Sequence, residues 1–156
     1  WCWWIWFNRN KVMDIRRANQ ADLKDITKIY QESFDKEVLN NIEYTDENIY
    51  VVEDQGIILG MCMINYINNI FTNEKTGYIN LVCVKSEYRG QGVGTFMLRE
   101  LEIIARRECV TMLMLTSNKK RCSANTLYKN LDYVLYDTNV YKKKINEKES
   151  VLLYFF

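Results

Sequence analysis

The sequence predicts an α+β fold with one central sheet of about six or seven strands flanked by about four helices. Three observations carry that reading. Short apolar runs of strand length are interleaved with longer amphipathic stretches of helix length. Their order is strand, two helices, three strands, helix, strand, helix, two strands, which is neither all-β nor a regular βα alternation. Finally, three glycines in five residues, Gly90, Gly92 and Gly94, join an apolar run to an amphipathic one.

Taken in order, Val12 to Ala18 reads as the first strand. Asn19 stands three residues before Asp22, the arrangement of a helix-start capping box. Leu23, Ile26, Tyr30 and Phe34 fall on one face of the helix that follows. A second, shorter helix is expected across Lys36 to Ile42. Ile49 to Val52 reads as a strand, Glu53-Asp54-Gln55-Gly56 as a hairpin turn and Ile57 to Tyr66 as the return strand. Asn68 to Lys75 is polar and reads as a loop. Ile79 to Val84 is a buried strand, and Phe96 to Arg107 a helix with Met97, Leu98, Leu101, Ile104 and Ala105 toward the core. Val110 to Leu115 reads as another buried strand and Ser123 to Leu131 as a helix. Tyr133 to Asp137 and Asn139 to Lys143 read as a closing antiparallel pair.

These elements fill one domain over residues 13–145, within a chain of 156 residues. Residues 1–12 open with Trp1-Cys2-Trp3-Trp4-Ile5-Trp6-Phe7 and read as an aromatic extension outside the domain, or as an interfacial or partner-binding patch. That run is far below the ~20 apolar residues of a membrane span, and it lacks the flanks of a secretory leader. Residues 146–156 form a tail, with Val151 to Phe156 left as a tag-like piece or an added edge strand.

Composition narrows the chemistry. Apolar residues make up 48% and charged residues 26%, as in soluble globular domains. The net charge of +1 offers no broad basic field for nucleic acid. Five cysteines without a C-x-x-C pair argue against a disulfide framework or a zinc site and for a reducing, cytoplasmic setting. The chain has no histidine, which removes Ser-His and Cys-His catalysis and the commonest metal ligand together. No metal is expected. Acid–base work falls to Tyr, Asp, Glu, Lys, Cys or water.

The glycine turn between strand and helix is suited to an anion. Glycine permits close approach to the main chain. The first amides of a helix lack internal partners, and the helix dipole makes that end positive. The spacing is not that of a dinucleotide fingerprint, and the turn lacks the Lys-Ser/Thr ending of a triphosphate loop. The order Arg89-x-x-Gly92-x-Gly94 resembles the signature of the GCN5-related N-acetyltransferases (GNATs). A plain glycine-rich connection is the alternative. The resemblance implies a mixed, mostly antiparallel sheet, acetyl-CoA as co-substrate and its pyrophosphate on Arg89, Gly90, Gln91, Gly92, Val93, Gly94 and Thr95. It also implies that the strand before the turn splays from its neighbour, so that the main chain of Val82, Cys83 and Val84 takes the pantetheine arm and the thioester carbonyl.

A second stretch, Ser117-x-x-Lys120-Arg121-x-x-Ala124-x-x-x-Tyr128, resembles acetyltransferases acting on small amines. That similarity implies Tyr128 as the acid that protonates the departing thiolate, with Asn125 and Lys129 beside the cofactor. The competing reading makes Tyr128 a core residue on the inner face of its helix. Lys120 and Arg121 are candidate acceptor contacts or a solvated turn; as contacts they suit phosphate, pointing to an amino-sugar phosphate such as glucosamine 6-phosphate. Glu32 and Asn80 are further acceptor candidates. Two positions depart from the family pattern. Asp132 stands where glycine is usual, though Asp tolerates the left-handed conformation. Asn80 and Leu81 stand where many members carry a basic carboxylate, which leaves the base to water or to an acid from the Glu32 to Glu37 segment. Other readings are a protein lysine or N-terminal acetyltransferase and an acyl-CoA-binding sensor. A homodimer is a possible assembly.

Overall fold

A computed structural model describes residues 12–34 and 48–144. Among these, the strands are β1 (Asp14–Arg17), β2 (Ile49–Asp54), β3 (Ile57–Asn69), β4 (Glu74–Val84) and β5 (Met112–Leu115). The helices are α1 (Leu23–Phe34), α2 (Val93–Arg107) and α3 (Cys122–Asn130). The strands form one sheet in the order β1-β2-β3-β4-β5. Every pairing is antiparallel except β4 with β5, which is parallel.

Side-chain alternation on the strands gives the sheet two buried faces. On one, Tyr50, Val52, Leu59, Cys62, Ile64 and Ile79 meet Val93, Met97, Leu98 and Leu101 of α2. On the other, Val51, Ile58, Met61 and Cys83 meet Ile26 and Ile29 of α1. The stripe expected on α2 buries, with Ile104 half-buried; on α1 only Ile26 of the expected face is buried, Leu23, Tyr30 and Phe34 are half-buried, and Ile29, outside that face, is the most buried residue of the helix.

A 3-10 turn, Gln20–Asp22, leads into α1, and the expected capping box sits at its start. Ala21 N donates to Asn19 Oδ1 at 2.9 Å, and Asn19 N donates to Asp22 Oδ2 at 2.8 Å. Asp22 is only 6% exposed, yet its carboxylate is paired bidentately by Arg16 at 2.7 and 2.9 Å. Arg16 also reaches Glu53 Oε2 on β2, at 2.9 Å through Nε. A buried carboxylate is tolerable because its lone pairs are filled.

Three expectations change. Asn68 to Lys75 is half ladder rather than all loop: Asn68 pairs with Lys75 and Asn69 with Glu74, and residues 70–73 form the turn between them. Polar residues continue the strands here because the backbone ladder itself holds the hairpin, closed by Phe71 N donating to Asn69 Oδ1 at 3.0 Å. The glycine turn feeds α2 three residues early, at Val93, because Val93 is itself a core residue at 1% exposure. The closing antiparallel pair is absent: residues 131–144 contain no strand or helix. Val134 and Leu135 are 89% and 90% exposed there, so no pleated, half-buried surface selects a strand despite favourable residue types. The described sheet therefore has five strands, and three α-helices flank it. The helix expected over Lys36 to Ile42 and both terminal segments lie outside the described residues.

At the end of α3 the glycine substitute works as anticipated. Asp132 adopts a left-handed φ of 62°. Tyr133 N donates to Tyr128 O at 3.0 Å and Asp132 N to Lys129 O at 3.1 Å, which closes the helix in a Schellman pattern.

Candidate active site

Pairing of β4 with β5 runs from Thr76–Met112 to Ile79–Leu115 and stops there. β4 continues to Val84, paired on its other side with β3. At the point of departure the β3–β4 register slips between Met63 and Ile64: Met63 faces Leu81 and Ile64 faces Ile79, so Asn80 is the extra residue of a bulge. Bulges re-aim side chains and loosen ladders beside functional sites. Beyond it, no strand among the described residues lies along the outer edge of Leu81 to Val84.

β4 then turns through Ser86–Tyr88, a 3-10 turn, into the glycine segment. Arg89 folds back, its Nε donating to Val84 O at 3.0 Å, and Gln91 Nε2 donates to Glu87 O at 2.7 Å. Gly90 and Gly92 have φ of 74° and 84°, values that a side chain would strain. Gly92 is the N-cap of α2, and no side chain caps that helix. A Cβ at Gly90 or Gly92 would meet nothing within 4 Å. The turn is thus open in front of an uncapped helix start, a surface that fits a diphosphate. Gly94 serves packing: a Cβ there would stand 3.0 Å from Leu127 Cδ2 of α3. Val93 and Cys83 are both 1% exposed, so neither side chain reaches this surface. Burial also pushes the Cys83 thiol above its ordinary range, with Ser33, Arg121 and Arg89 opposing.

A cleft of about 670 Å³ opens where β4 and β5 part. Its walls are the end of α1, the β4 bulge, the loop after β5 and α3. Six residues singled out in the sequence line it: Glu32, Asn80, Val82, Lys120, Arg121 and Tyr128. Arg121 lies over the Phe34 ring, 5.0 Å from its centroid, which braces the guanidinium at the rim. Tyr128 is half-buried and its ring sits 6.0 Å from that of Tyr133. Burial raises the Tyr128 hydroxyl above its ordinary value, with Arg121 pulling the other way. The phenol is therefore protonated throughout the neutral range.

Glu32 accepts from Ser86 N at 3.3 Å and from Ser86 Oγ at 3.2 Å. Those bonds, the backbone one foremost, hold its carboxyl below the usual range. Glu32 thus ties α1 to the segment leading into the glycine turn, and it is a poor proton acceptor. Asp35 and Glu37, also considered as bases, lie outside the described residues.

Two sequence candidates are not brought to the cleft. Asn125 donates from Nδ2 to Asn118 O at 3.0 Å and to Lys119 O at 3.4 Å, stapling the loop that carries Lys120 and Arg121. Lys129 is exposed and does not line the cleft. The sequence reading missed Phe34, Leu115, Thr116 and Ser117 as cleft walls. Ser117 was legible, being part of the quoted motif; Phe34 was legible only as a core-facing position of its helix.

No helix among the described residues is long and apolar enough to cross a membrane, and no group of three or more potential metal ligands occurs among them.

Comparison with known proteins completes the picture. An uncharacterized N-acetyltransferase from Archaeoglobus fulgidus is 29% identical over 104 residues, covering 56% of this chain and 70% of that protein. A transcriptional regulator from Bacillus halodurans shares the fold with a TM-score of 0.75 at 18% identity, over 85% of this chain and 99% of that one. An aminoglycoside acetyltransferase from an uncultured soil metagenomic sample, solved with trehalose, matches with a TM-score of 0.72 at 14% identity, over 88% and 99% of the two chains. Residues 12–133 match the sequence profile of the acetyltransferase (GNAT) family. With that profile running from β1 through the glycine turn to the end of α3, the chain belongs to the GNAT family of N-acetyltransferases.

Proposed function

We propose that this chain transfers an acetyl group from acetyl-CoA, the family's usual co-substrate, to the primary amine of a small metabolite that also carries an anionic group. An amino-sugar phosphate such as glucosamine 6-phosphate is the best-fitting example. One observation carries the reading: a single cleft gathers a protonated Tyr128, an uncharged Asn80 and the cations Lys120 and Arg121 beside the free edge of β4.

In this reading, bound acetyl-CoA supplies a thioester carbonyl as the electrophile. The uncapped amides of α2, with the Arg89–Thr95 turn, hold the diphosphate. The main chain of Val82 to Val84 aligns the pantetheine arm and offers an N–H to the carbonyl oxygen as negative charge develops there. Tyr128 donates its proton to the leaving sulfur. Lys120 and Arg121 hold the acceptor's anion, Arg121 presenting its planar fork from the Phe34 ring.

Proton removal from the amine is the demanding step. An alkylammonium has a pKa near ~10, so it must lose a proton before it attacks. Glu32 is held by Ser86 and disfavours protonation. Water carries that proton, and the acceptor must be the free amine.

The test is acetyl-CoA turnover on glucosamine, glucosamine 6-phosphate and a lysine-bearing peptide. Preference for the phosphate over glucosamine by about tenfold or more, lost in Arg121→Ala, supports the reading; a charge-assisted hydrogen bond is worth roughly that factor. Preference for the peptide would make this a protein acetyltransferase. Acetyl-CoA binding with no turnover on any amine would make it a sensor.

A further inference from the structure

We propose that the outer edge of β5 is an interface for a second copy of this chain. The segment from Val134 to Tyr141 of each copy crosses over and pairs with the β5 edge of the other. The inference is independent of which amine the cleft accepts.

Two halves of one strand pairing are left open in the single chain. The first is β5. It ends the sheet, paired with β4 on one side and with no strand among the described residues on the other. All four of its residues, Met112, Leu113, Met114 and Leu115, are apolar, so both of its faces are. A strand of that composition is one whose neighbours cover it on both faces. Yet none of the four is buried, and Met112 is 52% exposed. An open edge of this kind is a template for another strand.

The second half is the chain after α3. Tyr133 is fixed in place, its N–H closing the helix on Tyr128 O and its ring lying against that of Tyr128. From there onward the apolar side chains stand in solvent: Val134, Leu135, Tyr136, Val140 and Tyr141 are between 75% and 90% exposed. A tight turn, Thr138 N donating to Tyr136 O at 3.1 Å, separates the two apolar runs. Val134, Leu135 and Tyr136 are consecutive, so this arm is also apolar on both faces once extended, and its residue types favour a strand. It has the character that the β5 edge lacks in a neighbour.

A second copy satisfies both halves at once, because each chain brings one arm and one edge. Such an exchange is two-fold symmetric and closes on itself, so it stops at a dimer. A different protein would have to supply both a strand for β5 and an edge for the arm. The area suffices. Tyrosines bury about 150–250 Å² each, so Tyr136 and Tyr141 of two arms supply roughly 600–1,000 Å². The aliphatic side chains carry that past the ~1,200 Å² of a stable interface.

Sedimentation equilibrium on the full chain is the first test. The wild type should run at twice the mass of one chain in the micromolar range. The double variant Tyr136→Lys, Val140→Lys should run as a monomer, and so should Met112→Lys. All three positions are exposed in the single chain, so circular dichroism should report a folded protein in each case. A monomeric wild type, or a dimer that survives both variants, overturns the proposal. The second test leaves the interface otherwise intact. Benzoylphenylalanine placed at position 135 is irradiated, and the products are separated on a denaturing gel and mapped by mass spectrometry. It should link to the peptide containing Met112–Leu115 within a covalent dimer. A link to that peptide within a single chain would mean that the arm folds back on its own sheet, and it overturns the exchange. The absence of any link to β5 overturns it as well.

Discussion

At the residue scale, Tyr128 is the group on which the proposed chemistry turns. Burial holds its hydroxyl above the ordinary phenol value, so it stays protonated until well into the alkaline range. Tyr128→Phe should cut kcat by about 10²-fold with little change in binding of acetyl-CoA, as loss of a general acid does. Steady-state kinetics and calorimetry check this, and an unchanged kcat would remove the residue from the mechanism. The pH profile follows from Tyr128 and the acceptor amine. The amine must be free, so kcat/KM should climb from pH 7 toward ~9–10. The falling limb belongs to Tyr128, whose raised value puts it above the ordinary ~10. A plateau from pH 7 upward would instead report an enzyme base that the cleft's described residues do not provide. Tyr128 was legible in the sequence because it closes a long motif; among eleven tyrosines, a lone aromatic would have said nothing. The contact between Asn65 and Asn80 was not legible at all: it crosses a strand pair, and no spacing along the chain relates residue 65 to residue 80.

At the element scale, the glycine turn and α2 act as one unit. Gly92 combines a left-handed φ of 84° with an open face and an uncapped helix behind it. Gly92→Glu should abolish measurable binding of coenzyme A, through backbone strain and a carboxylate set where the phosphates would lie; calorimetry at wild-type affinity would refute the placement. Gly94 answers to a different constraint, the 3.0 Å gap to Leu127 Cδ2. Gly94→Val should destabilise the fold by about 1–3 kcal/mol in denaturant unfolding, the usual cost of overpacking. The motif showed three glycines alike; packing separates one from the other two. The α1 capping box carries its own prediction. Pairing with Arg16 holds the Asp22 carboxyl below its ordinary value. A depressed folded pKa contributes stability above the unfolded value of ~3.9, and that contribution is lost as pH falls through the lower folded value. Asp22→Asn should therefore cost about 1–3 kcal/mol at pH 7, and the gap to wild type should close below about pH 4. A gap of equal size at pH 3, read by thermal melts, would show that the charge is not the cause.

At the scale of the whole molecule, binding should report on the fold. A ligand at about 100 times its Kd adds ~2.7 kcal/mol to stability, and ~1 kcal/mol moves the melting point of a domain this size by ~2–4 °C. Saturating coenzyme A should raise the melting temperature by roughly 5–10 °C, and no shift would mean no specific site. The sequence by itself determined the α+β class, the amphipathic faces of α1 and α2, the capping box at Asn19 and the strand–glycine–helix turn. All of these are local: they follow from residue periodicity and backbone preference within one stretch of chain. Only the tertiary structure decided that β4 parts from β5 after Ile79, that Glu32 is bound by Ser86, that Arg121 rests on Phe34 and that residues 133–143 do not pair as strands. Each of these depends on which distant segment comes alongside, and a strand or a carboxylate has no fixed behaviour until its neighbour supplies a surface or a hydrogen bond.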